Sequence, residues 1–139
     1  MNLFDIVGPV MVGPSSSHTA GAVRIGYISR RLLGEPVKKA QILLYGSFLA
    51  TGKGHGTDRA IIAGLLGMKP DDMRIPDSME LAEKAGMEVS FGEAKCKDAH
   101  PNTAQLILTG TDGNTLEIEA ASLGGGRIQV CKIDGIETN

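Results

Sequence analysis

Apolar residues recur at helical spacing after Pro14: Ala20, Val23, Tyr27, Ile28 and Leu32 fall on one face, and Gly34 supplies a stop. Ser15, Ser16 and Ser17 stand just ahead of this run, and any of them suits the N-cap. The pattern then changes. Val37 to Tyr45 predicts a strand with a buried end at Ile42–Tyr45, and Gly46 to Thr57 reads as a glycine-rich loop. Asp58 to Leu66 predicts a helix capped by Asp58 or Thr57 and ended by Gly67. After an acidic turn around Pro70 and Asp71, Ser78 to Ala85 predicts a small helix closed by Gly86. From there the period is two. Met87–Phe91, Gln105–Thr111, Leu116–Ser122 and Arg127–Ile133 predict four strands, the last three joined as hairpins through Asp112-Gly113-Asn114 and Gly124-Gly125-Gly126. Helices in the first half and strands in the second predict an α+β domain: a mixed, mostly antiparallel sheet with helices on one face.

Length and composition narrow this further. With 139 residues the chain suits a single domain, 1–139. A net charge of −2 argues against nucleic acid as a partner, and an aromatic content of 4% argues against base-stacking surfaces. The start, MNLFDIVGPVMVG, has no basic n-region, and no segment approaches a membrane span, so neither a signal peptide nor membrane contact is expected. Cys96 and Cys131 are isolated thiols with neither disulfide-framework nor zinc spacing. These features predict a soluble cytoplasmic protein.

The candidate chemistry lies in the connections. Serine hydroxyls, His18 and Thr19 crowd a helix N-terminus, whose free N–H groups and dipole attract anions. A cap needs one serine, not three and a histidine; the plain alternative is a polar helix start with its spare hydroxyls in water. The three histidines are His18, His55 between Gly54 and Gly56, and His100 ahead of Pro101 and Asn102. None sits in an apolar stripe, and histidine is the side chain best placed for proton transfer near neutral pH. Each taken singly is also compatible with a surface residue. The loop Gly46–Thr57 is not a nucleotide-binding P-loop: five residues, not four, precede Gly52-Lys53, and Gly54 stands where a Ser or Thr is required. A glycine-rich backbone binding a small anion remains open, with Lys53 and Arg59 supplying charge or standing solvated.

GPVMVGPSSSHTAG, GHGTDRAI and DAHPNT, in that order, resemble the beta subunit, or beta domain, of the bacterial iron–sulfur-dependent L-serine dehydratases. The likeness covers almost the whole chain, and SSSHT is a specific signal for that family. It implies a fold shared with the allosteric substrate-binding domain of phosphoglycerate dehydrogenase. It also implies a reaction of serine catabolism, L-serine to pyruvate and ammonia, without pyridoxal phosphate. In that family a [4Fe–4S] cluster on cysteines of the alpha subunit or domain acts as Lewis acid on the substrate hydroxyl. This chain lacks the cysteines a cluster requires, so no metal is expected on it and the alpha part is expected on another polypeptide, in a hetero-oligomer or dimer. Two-subunit members generally continue into an ACT-type regulatory domain, which is expected to be absent from a chain ending at Asn139.

The implied site assigns roles to the residues already singled out. Ser15, Ser16, Ser17 and Thr19, with the N–H groups beyond them, would hold the serine carboxylate. His55 or His18 would take the α-proton, with His55 favoured because its glycine flanks suit insertion between two subunits. His100 and Asn102 would support substrate binding. The alternative from another class is a regulatory module that binds a small anion and performs no chemistry. It needs the helix terminus and basic residues but not the histidines.

Overall fold

The computed structural model describes residues 16–46, 56–94, 102–124, 127–134 and 136–137, with the side chains of 16–18 and 136–137 left outside that description. Helix α1 (Ser16–Leu33) leads through a short link into strand β1 (Val37–Gly46). Helix α2 (Thr57–Leu65), a 3-10 turn (Ile75–Asp77) and the short helix α3 (Ser78–Lys84) precede β2 (Glu88–Glu93). The remainder is strand: β3 (Asn102–Gly110), β4 (Thr115–Gly124), β5 (Arg127–Ile133) and the two-residue β6 (Ile136–Glu137).

These strands form one six-stranded sheet in the order β2-β1-β3-β4-β5-β6. β1 and β2 run parallel, and the other neighbours are antiparallel. The expected α+β class, with its mixed and mostly antiparallel sheet, is what forms. The parallel pair follows from the connection: a crossover containing α2 and α3 carries the chain back to the starting end of the sheet, as parallel strands require.

Alternation along each strand builds the core. Ile42, Leu106 and Ile118 face one another across β1, β3 and β4, and Leu44, Ala104 and Ala120 form the next row. All six are buried, because α1 and α2 cover this face. Between the rows Leu43, Gln105 and Glu119 stand on the other face, where Gln105 Nε2 donates to Glu119 Oε1 at 2.9 Å. Helix α1 lies directly on β4 and beside α2, while α3 and the 3-10 turn pack on α2.

Glycine sets how closely these pieces approach. A Cβ on Gly26 of α1 would lie 2.1 Å from the Ile61 carbonyl oxygen of α2, and one on Gly64 of α2 would lie 2.1 Å from the Val23 oxygen of α1. The two helix backbones therefore touch without intervening side chains. The outer face of α1 is solvated: Arg24 and Arg31 are exposed, and the Arg31 guanidinium lies 5.9 Å from the centre of the Tyr27 ring.

Several boundaries move, each for a local reason. The cap of α2 is neither Asp58 nor Thr57 but Gly56, in the left-handed region at φ 94 with no side-chain cap bond. Asp58 instead accepts a hydrogen bond from the Arg59 amide at 2.7 Å. The three expected helix-closing glycines, Gly34, Gly67 and Gly86, all take left-handed backbone. β3 begins at Asn102, ahead of the expected Gln105, because residues 102–104 pair with Gly46, Tyr45 and Leu44 at the end of β1. That pairing is non-local, so the polar tripeptide carries no periodic signal of it.

Candidate active site

One end of the sheet gathers the segments that carry the candidate residues. Strand β1 finishes there at Gly46, directly opposite Asn102, where β3 starts. Thr103 pairs with Ala121 of β4, and Ser122 follows on β4. Ser122 in turn faces α1: a Cβ on Gly21 would lie 2.1 Å from its Oγ and 2.8 Å from its Cβ. Gly21 is in the second turn of a helix that starts at Ser16. The SSSHT turn, the start of the glycine-rich loop and the Asn102 segment thus share one sheet end, though sequence separates them widely.

Each candidate can be placed against this frame. The backbone of Ser16, Ser17 and His18 forms the first turn of α1, and their side chains lie outside the described residues. Thr19 closes that turn and is half-buried. Asn102 is half-buried too, with its Oδ1 buried at the β1–β3 end. Ser15, His55 and His100 lie outside the described residues. In the chain His55 immediately precedes Gly56, the left-handed cap of α2, and His100 stands two positions before Asn102.

Charges of both signs stand at this end, where Glu93 closes β2 opposite Leu44 of β1. The first turn of α1 contains no acidic residue, so its N–H groups, which have no partner within the helix, meet no carboxylate from within that turn. Among the basic residues named beforehand, Arg59 is exposed on α2, and Lys53 lies outside the described residues. Arg127, not singled out from sequence, opens β5 at the same end, where it pairs with Gly124, and is exposed.

The thiol chemistry of this chain does not fit an iron–sulfur cluster. The chain has two cysteines, fewer than a cluster needs. Of these, Cys131 sits in β5 at a register shift, and burial with the nearby Glu119 charge pushes its thiol above the ordinary range. A thiol held in its neutral form is a poor metal ligand. Among the described residues no group of three or more His, Cys, Asp or Glu side chains is arranged to hold a metal.

Comparison with known proteins now decides the family. The family model described as serine dehydratase beta chain matches residues 2–132. The chain belongs to this family. It is 46% identical over 136 residues to the probable L-serine dehydratase beta chain of Bacillus subtilis (strain 168), covering 98% of this chain and 61% of that relative. To the L-serine dehydratase beta chain of Peptoniphilus asaccharolyticus it is 42% identical over 134 residues, covering 96% of this chain and 60% of the relative. L-serine dehydratase 2 of Escherichia coli (strain K12) is 36% identical over 127 residues, which are 79% of this chain but 28% of that protein. The chain therefore spans about three fifths of the length of its two beta-chain relatives. Among the described residues no helix is long and apolar enough to cross a membrane.

Besides Arg127, two residues at the site end were not foreseen from sequence. Ser122 reads simply as part of a strand, and nothing near it says that its hydroxyl faces a helix. Gly21 lies inside the SSSHTAG motif, yet received no role. A signal was present: a glycine inside a helix costs about 1 kcal/mol relative to alanine, so Gly21, Gly26 and Gly64 marked close approaches in advance.

Proposed function

We propose that this chain is the beta subunit of a cytoplasmic L-serine dehydratase, a lyase converting L-serine to pyruvate and ammonia in a hetero-oligomer with an alpha subunit. The observation that carries the proposal is the convergence at one sheet end of the α1 first turn, the end of β1 at Gly46 where the His55 loop begins, and the start of β3, in a chain of this family. The small share of the Escherichia coli relative that matches here supports a reaction needing much more protein than this chain. We assign the [4Fe–4S] cluster to the alpha subunit, since the thiols of this chain do not fit one. The help that the hydroxyl leaving group needs falls to that partner.

This chain contributes binding and proton transfer. The N–H groups and hydroxyls of the α1 first turn, from Ser16, Ser17 and Thr19, together with the Ser15 hydroxyl, hold the substrate carboxylate. His55 removes the α-proton, with His18 beside the carboxylate and His100 and Asn102 as further binders. The resulting enamine tautomerises and hydrolyses to pyruvate and ammonia without further help.

The test is anaerobic mixing of this chain with a cluster-bearing alpha subunit, followed by a pyruvate assay on L-serine. The expected result is turnover by the mixture and none by this chain alone. In the mixture, His55→Asn should lower kcat by on the order of 10²–10⁴ while serine still binds, since asparagine keeps hydrogen bonding but cannot act as a base near pH 7. Near-normal turnover by a folded, cluster-loaded His55→Asn enzyme rules out His55 as the base. If His18→Asn is then inactive, the two histidines exchange roles. If both variants turn over normally, the histidines are not catalytic and the anion-binding module is the better description.

A further inference from the structure

At the site end Gly21 of α1 lies directly against Ser122 of β4. A Cβ at Gly21 would meet Ser122 Oγ at 2.1 Å and Ser122 Cβ at 2.8 Å. Real side chains do not tolerate such distances, so α1 lies against β4 at a spacing only glycine permits. Ser122 is itself 1% exposed and belongs to a strand paired on both sides, so it cannot retreat. Further along, Gly26 fixes α1 against the backbone of α2. With α1 pinned at Gly26, any residue larger than glycine at position 21 tilts the first turn away from β4. The first turn holds Ser16 to Thr19, two to five positions earlier in the same helix.

We infer that Gly21 is a positioning residue for serine: seated on Ser122, it sets where the α1 N-terminus presents its N–H groups to the substrate carboxylate. This rests on the reading of that turn as the carboxylate holder. A group that binds ground state and transition state alike acts mainly through KM. Losing one hydrogen bond to a charged carboxylate weakens binding by about 10- to 100-fold. A residue that matters only for folding acts differently, because loss of folded enzyme lowers the apparent kcat and leaves KM alone.

The experiment compares Gly21→Ala with the double variant Gly21→Ala/Ser122→Gly, which removes the obstruction from the strand side. Both are assayed with the alpha subunit, kcat being corrected for the assembled, cluster-loaded fraction. Gly21→Ala should raise KM for L-serine about 10- to 100-fold with kcat little changed, and the double variant should restore KM to within about threefold of wild type. Should Gly21→Ala not assemble, Ser122→Thr, which enlarges the same wall by one methyl group, should raise KM in its place. Ser16→Ala/Ser17→Ala separates the two levels of the argument. If that variant raises KM while Gly21→Ala does not, the positioning role of Gly21 is wrong and the carboxylate reading stands. If neither raises KM, the α1 turn does not hold serine, and the inference fails with the reading beneath it.

Discussion

Glu35, just past the end of α1, accepts a hydrogen bond from Asn114 Nδ2 across 79 residues of sequence. The Asp112 amide donates to the same carboxylate at 2.5 Å, and Gly110 leaves the space it occupies. The carboxylate is buried, while its donors belong to the exposed turn between β3 and β4. A single side chain thus ties the α1–β1 link to that hairpin, at the sheet end opposite the candidate site. Hydrogen bonds to charged groups contribute about 1.5–3 kcal/mol each, but the two freed donors can turn to water. Glu35→Ala should therefore cost about 2–3 kcal/mol, seen in urea unfolding as a lower midpoint with an unchanged slope. An unchanged midpoint would mean that water replaces the carboxylate at no cost.

The α1–α2 contact makes a prediction opposite in sign to helix propensity. Alanine is better than glycine in a helix interior by about 1 kcal/mol, yet a methyl at Gly64 would lie 2.1 Å from the Val23 oxygen and 2.5 Å from the Tyr27 nitrogen. Both obstacles are backbone and cannot rotate away. Overpacking of this kind costs about 1–3 kcal/mol and sometimes more. Gly64→Ala should lower the melting temperature, and a rise would refute the helix contact.

Cys131 should be a sluggish thiol. Burial raises its pKa first and the Glu119 charge adds to this, with Lys132 opposing. The fold therefore favours the neutral thiol, a contribution to stability that holds at low pH and fades as pH climbs through the raised value. Iodoacetamide labelling of the native chain, resolved by peptide mapping, should be slower at this cysteine than in the urea-unfolded chain at the same pH. Glu119→Gln should quicken it. Equal rates in native and unfolded chains would contradict the raised value.

At the turn before α3 the sign reverses. Arg74 donates to both carboxylate oxygens of Asp72, at 3.0 and 2.7 Å, and its amide adds a bond at 2.8 Å. The side-chain bonds are the main cause holding Asp72 below its ordinary 3.8, followed by the backbone bond. A lowered folded pKa gives a contribution fully present above 3.8 and lost as pH falls through the folded value. The Asp72 carboxyl should titrate below 3.8 by NMR, and in Arg74→Ala its midpoint should move back up. No movement would assign the shift to the backbone bond alone.

The sequence by itself determined the elements and the family. Period-two and helical spacings are local properties, so α1, α2, the short α3 and β5 stand where their side-chain patterns put them. The buried face of α1, however, is Ala22, Val23, Ile25, Ser29 and Leu33 rather than the expected stripe from Ala20 to Leu32, whose last residue is exposed, because the glycine contacts turn the helix on its neighbours. The SSSHT, GHGTDRAI and DAHPNT segments identified the family without any coordinate. What only the tertiary structure decided is non-local. The parallel pairing of β2 with β1 and the early start of β3 at Asn102 depend on partners dozens of residues away. The cap of α2 fell to Gly56, in left-handed backbone and with no side-chain cap bond, which no count of hydroxyls foretells. The convergence of the candidate segments arises from register and from the Gly21–Ser122 contact, and neither leaves a trace in periodicity. Residue chemistry is written one position at a time, whereas a site requires distances between positions, and packing alone fixes those.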